Sequence, residues 1–192
     1  ASPLLAAVLL GLAVATLVDR LKPGSEKAAK TIIFFPMAIS AVGAATVWRF
    51  VYATAPEGST QVGLQNAIIT SLGADPIPWL EQRTFYINTF FLIIMFLWLQ
   101  VGFSMVLLSA AIKGVPIDTL EAARVDGATE LQAFRRVVVP QIMPTVVTVY
   151  VTVLIGVMKL FDIVYVMTNG RANTNVLATE FFNQLFTNFN NG

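Results

Sequence analysis

Nearly charge-free apolar intervals, long enough to approach or exceed the width of a bilayer, recur along this chain, and short stretches crowded with charge separate them. Crossing about 30 Å of hydrocarbon takes roughly 20 mostly apolar residues in a helix. Four intervals answer to that description: approximately 3–18, 31–52, 84–112 and 144–165. Each is apolar all round rather than along one stripe, which suits a helix surrounded by lipid. Valines crowd the fourth interval (Val146, Val147, Val149, Val151, Val153), and such residues also favour strands. Strand alternation is missing, however, and in lipid only helices or closed barrels satisfy every backbone group. The expected fold class is an all-α polytopic membrane protein, with residues 1–192 forming one transmembrane domain.

Composition narrows the function. Only 12% of residues are charged, where soluble domains carry about a quarter, and the mean hydropathy is +0.74. A net charge of +1 gives no electrostatic footprint for nucleic acid. With no Cys and no His, the chain lacks disulfides, a thiolate nucleophile and the usual zinc or haem ligands, so neither an enzyme nor a metal site is expected. Residues 1–18 resemble the apolar core of a signal peptide, but no basic stretch precedes them and no small-residue cleavage pattern follows. They read as a span whose beginning is missing.

Basic residues in short loops are held on the cytoplasmic side. The loop 19–30 carries Arg20, Lys22, Lys27 and Lys30, and the loop beginning at Lys113 carries Lys113, Arg124, Arg135 and Arg136. The segment 53–83 carries Arg83 alone. The two basic loops are therefore expected inside, with 53–83 and everything after Tyr165 outside. Trp48, Tyr52, Trp79 and Tyr86 fall near the outer boundaries, where amphipathic rings settle among headgroups. Pro36, Pro140 and Pro144 each remove a backbone donor and predict kinks or breaks.

The loop 113–140 is the most informative stretch. Asp118 followed by Glu121, and Thr129 followed by Gln132, have the spacing of helix N-caps, so two short helices are expected. Gly127 lies between them, where the chain reverses at a positive φ. On the first helix, Leu120, Ala123 and Ala128 alternate with Glu121, Arg124 and Asp126, a docking surface more than a core.

These residues resemble the EAA loop of binding-protein-dependent ABC import permeases. Glu121-Ala122-Ala123 is followed by Gly127, then by Val137 and Val139 where the family favours Ile and Leu, then by Pro140. Softer likenesses, Phe34-Phe35-Pro36-Met37 with Trp48-Arg49-Phe50 and the run from Phe161 to Thr168 with Val176 to Thr179, are similar to the carbohydrate branch, the maltose-type and glycerol-phosphate-type permeases. The resemblance implies a type I ABC importer transmembrane domain, incomplete because four of the usual six helices are visible. It implies a multi-pass permease in a bacterial or archaeal cell (inner) membrane, forming half of a sugar pathway with a second permease subunit. Glu121, Ala122, Ala123, Asp126, Gly127 and Pro140 would couple it to an ATP-binding cassette subunit. An extracytoplasmic substrate-binding protein would deliver solute to the outer segments 53–83 and 169–175. The chain has no phosphate-cradling Gly-rich motif, so ATP would be bound by the partner, with no cofactor in this chain.

Pathway residues are harder to read. Lys159 and Asp162, three apart on a helix near the end of the fourth span, can face one another as a structural ion pair, which is favoured over a role in the pathway. Asn88 and Gln100 in the third span could bond a sugar hydroxyl or join helices, and joining is the commoner use. A secondary transporter would carry buried carboxylates near the bilayer middle, and the spans hold almost none. A helical membrane scaffold would have no reason for the EAA spacing. Glycerol phosphate or another non-sugar solute remains the alternative substrate.

Overall fold

The computed structural model describes residues 2–56, 58–81, 87–158, 160–170 and 174–187. These are helical or irregular, with no strand among the described residues. Among the described residues ten α-helices follow one another: α1 Ser2–Val18, α2 Pro23–Phe34, α3 Ala41–Val51, α4 Leu64–Ser71, α5 Ile87–Lys113, α6 Ile117–Val125, α7 Glu130–Ala133, α8 Val139–Met158, α9 Asp162–Met167 and α10 Leu177–Phe182. Two are long and apolar enough to cross a membrane: α5, and the continuous helical run Glu130–Met158 that ends in α8. A third joins them if the broken pair α2 and α3 counts as one span.

The second span expected at 31–52 carries a kink or break at Pro36 in the sequence reading, and the structure breaks there. Pro36 sits in a 3-10 turn, Phe35–Ala38, that tightens and ends α2. Ser40 then starts α3 afresh, its hydroxyl accepting the Gly43 N–H at 3.1 Å. Pro140 and Pro144, expected ahead of the fourth helix, lie within α8. That helix ends at Met158, and Asp162 opens the separate α9 rather than continuing the span to 165.

The chain forms two compact units. In the first, Ala1–Ala38 with Leu97–Ile155, the C-terminal part of α5 is approached by both α1 and α2. A Cβ on Gly102 would lie 2.9 Å from Phe34 Cα, and one on Gly11 would collide with Ser104, so α2 and α1 both approach α5 more closely than any side chain allows. Small residues admit such close approach between membrane helices. Met105 and Leu108 are fully buried there, whereas Met143, Val147, Val151 and Ile155 form an exposed apolar stripe along α8.

In the second unit, Ile39–Phe96 with Gly156–Gly192, α3 packs on α9. Ala44 and Ala45 on α3 and Ile163, Val164 and Met167 on α9 are all buried. The loop after α3 is organised by Asn66, which is fully buried on α4. Its amide donates to Ala53 O, Thr54 Oγ1 and Ile77 O and accepts from Ile77 N and Trp79 Nε1, all within 2.9–3.1 Å. Tyr52 is buried between Trp48 and Phe91, with centroids at 5.2 and 4.7 Å. Tyr86 lies outside the described residues.

Candidate functional site

α6 begins after Pro116, which supplies no side-chain cap. Asp118 thus stands inside the first turn and not at the N-cap that the sequence predicts; there it still favours the positive end of the helix dipole. The far end of α6 closes by a Schellman motif. The Gly127 N–H donates to Arg124 O and the Ala128 N–H to Ala123 O, both at 3.0 Å, with Gly127 at φ +80°. Thr129 caps α7 by a reciprocal box: its hydroxyl accepts from Gln132 N, and Gln132 Oε1 accepts from Thr129 N at 2.9 Å. Arg124 spans the turn to Glu130 through Nε–Oε1 at 2.9 Å, and that carboxylate raises the guanidinium's pKa further. The loop is a stapled helix-turn-helix.

Beyond α7 the helix widens. Over Phe134–Val138 it is π-helical, with Val139 N–H donating to Phe134 O five residues back. Pro140 has no N–H, and in an α-helix its ring would press on the carbonyl of Arg136; the wider turn just before it relieves that clash.

The outward face differs from the one expected. Leu120, Ala123 and Ala128 are partly covered, whereas Glu121, Ala122, Arg124, Asp126 and Gly127 are exposed. The apolar residues that do face out are Val125, 87% exposed, with Ile117 and Leu131 at 65% and 66%. Their spacing gives no warning of this, because which side of so short a helix is covered depends on contacts from distant segments.

At the root of this loop lies a charged cluster that the sequence reading does not assemble. Lys30 Nζ on α2 meets Asp19 Oδ1 and Glu26 Oε1, each at 2.7 Å. Ser109 Oγ on α5 donates to Asp19 Oδ1 at 2.7 Å, and Lys113 at the end of α5 pairs with Glu26 and stands 3.8 Å from Asp19. Glu26 precedes the apolar run that starts at Thr31. Its hydrogen bonds to Lys113 and then Lys30 lower its pKa from 4.5 to about 2.

The three pathway candidates among the described residues lie on two helices, α5 and α9. Asn88 is buried at the start of α5, and its Oδ1 accepts from the Thr89 N–H at 2.8 Å. Gln100 is half-buried, farther along the same helix. Asp162 is exposed at the first position of α9, so it shares no helix with the end of α8; Lys159 lies outside the described residues. Among the described residues no cluster of acids could hold a metal ion. The second unit has a cleft of about 900 Å³ lined by Arg49, Thr54, Glu81, Tyr165 and Asn169.

Residues 7–190 match the family described as binding-protein-dependent transport system inner membrane component. The osmoprotective compounds uptake permease protein GgtC of Synechocystis sp. is 50% identical over 187 residues, 96% of this chain and 66% of that protein. The alpha-glucoside transport system permease protein AglF of Rhizobium meliloti is 48% identical over 176 residues, 92% of this chain and 51% of that one. This chain thus spans between about half and two thirds of the length of these relatives. In the crystal structure of a bacterial alginate ABC transporter in complex with an alginate pentasaccharide-bound periplasmic protein, one chain is similar, at a TM-score of 0.79 and 25% identity. The match covers 97% of this chain and 63% of that one.

Proposed function

This chain belongs to the binding-protein-dependent transport system inner membrane components, an ABC permease family, and from that premise we propose that it forms half of a pathway importing a sugar or an osmoprotective solute. Two relatives of about half identity, one named for alpha-glucosides and one for osmoprotective compounds, support that substrate class. A second permease subunit completes the pathway, and a binding protein delivers solute to the outer segments around the Asn66-organised loop. An ATP-binding subunit drives it. The observation that carries the coupling role is the loop 113–140: a helix-turn-helix closed at both inner ends by its own caps, with Glu121, Ala122 and Val125 facing outward. A rigid, exposed, mixed apolar and acidic knob of this kind suits insertion into a cleft of a partner. The loop lies on the cytoplasmic side by its basic residues.

Substitution at Gly127 tests this in the full-length protein with its partners. A Cβ there would meet no atom within 4 Å, so the cost is backbone strain of about 1–2 kcal/mol rather than a clash. Asn, which tolerates positive φ, should retain most uptake; Ala should lose part, and Val most, with co-purification of the ATPase subunit falling in the same order. Membrane insertion should be unchanged. Wild-type uptake and an undiminished ATPase complex in Gly127→Val would remove the coupling assignment.

A further inference from the structure

We propose that Asp19, Glu26, Lys30, Ser109 and Lys113 are positioning residues for transport, a clamp that fixes the root of the loop 113–140 to α1 and α2. The inference rests on the coupling role given to that loop above. It goes beyond that role by naming how displacement of the loop enters the transmembrane helices.

The loop leaves α5 at a weak point. Lys113 is the last residue of α5, and Gly114, Val115 and Pro116 follow before α6 begins. Gly114 lowers the backbone's resistance to bending, and Pro116 withholds a donor. A force on α6 is passed on through this short backbone link to Lys113. The cluster stands on the α5 side of the link, so whatever displacement reaches Lys113 is shared with α1 and α2 rather than taken by α5 alone. Lys113, one residue before the link, is tied to Glu26 on α2, and Ser109, one turn earlier and 2% exposed, is tied to Asp19 at the end of α1. Lys30 bridges the two acids at 2.7 Å each. Three helices are thereby held at one level by groups 79 to 90 residues apart in sequence.

Charge supports the same reading. Two carboxylates face two ammonium groups, so the cluster is neutral as a whole. The side chains of Asp19, Glu26 and Lys30 keep only 11, 17 and 22% of their exposure, and such a network tolerates partial burial only while every member stays paired. Removing one member leaves an unbalanced charge, whereas removing a facing pair does not. Neutralising Glu26 and Lys113 together should therefore harm the protein less than the two single changes sum to.

The test uses the complete transporter in proteoliposomes and reads solute imported per ATP hydrolysed, a ratio that a loss of folded protein alone does not alter. Glu26→Gln and Lys113→Gln should each lower that ratio by about fivefold or more, while the ATPase subunit still co-purifies. Lys113→Arg should restore it. Unchanged ratios in both single variants, or a failure of Lys113→Arg to exceed Lys113→Gln, would overturn the clamp. A second measurement needs no change in the cluster. Spin labels at Ser25→Cys and Gly114→Cys should keep their separation within about 2 Å between nucleotide-free and ATP-bound states; a change of about 5 Å, one helical turn, would overturn it. If Gly127→Val is silent, the loop reading fails and the clamp with it. If Gly127→Val is harmful while the cluster variants couple normally, only the clamp falls.

Discussion

Asn66 makes five polar contacts from one buried amide, and the chemistry of each atom is specified: its two N–H groups are shared among three oxygens, and its oxygen accepts from two N–H groups. Asn66→Asp keeps the shape and reverses half of that pattern, setting a carboxylate oxygen against the oxygens of Ala53, Thr54 and Ile77. Losing these partners in a buried site should destabilise the second unit by about 2–4 kcal/mol. Because Trp79 Nε1 bonds the same amide, thermal unfolding followed by tryptophan fluorescence in detergent measures the effect, and an unchanged transition would show that the loop is held by other means. Glycines divide by cause in the same way. At Gly127 the sign of φ selects the residue, whereas at Gly11 and Gly102 the neighbouring helix does. Only the first kind is readable from sequence, since it depends on a turn between two local helices rather than on a helix that arrives from elsewhere.

Helix ends show where local chemistry suffices. The box of Thr129 and Gln132 forms as its spacing predicts, because both partners lie within one turn. Asp118 fails as a cap because Pro116 takes the N-cap position two residues earlier, its fixed φ already suited to the entry. The break between α2 and α3 was half legible: Pro36 announces it, and the Ser40 hydroxyl decides where the chain resumes. The Asp19 to Lys113 cluster was not legible, since its members come from three separate parts of the chain: Asp19 just after α1, Glu26 and Lys30 on α2, and Ser109 and Lys113 on α5. Its pH dependence follows from Glu26. A carboxyl whose pKa falls from 4.5 to about 2 on folding contributes stability that is fully present above pH 4.5 and is lost as pH drops from there through 2. Melting temperatures of the full-length protein in detergent should accordingly fall between pH 5 and pH 3, and less steeply in Glu26→Gln. Parallel curves for the two proteins would count against the Lys113 and Lys30 bonds as its cause.

Over the whole molecule, the fold class and the loop 113–140 come from patterns the chain cannot hide, apolar length and charge placement. The pathway residues do not, because Asn88, Gln100 and Asp162 acquire meaning only from what surrounds each. Orientation has a direct check. Single cysteines replacing the exposed residues Ser25 and Thr129 should resist an impermeant thiol reagent in intact cells, and one replacing Ser59 should react. Reaction at Thr129 from outside would reverse the assignment and the coupling role with it. The charged cluster bears on that orientation at a different moment in the protein's life. On the proposed orientation, Lys30 and Lys113 would act before the helices assemble as bare cations that help retain their loops inside. Once the helices assemble, the same ammonium groups are taken up by Asp19 and Glu26. Two lysines thus serve twice in succession, first as an address and afterwards as a fastening. Replacing either one by Gln still leaves three basic residues in its loop against Arg83 alone in the segment 53–83. Biogenesis should therefore survive a change that the finished transporter feels.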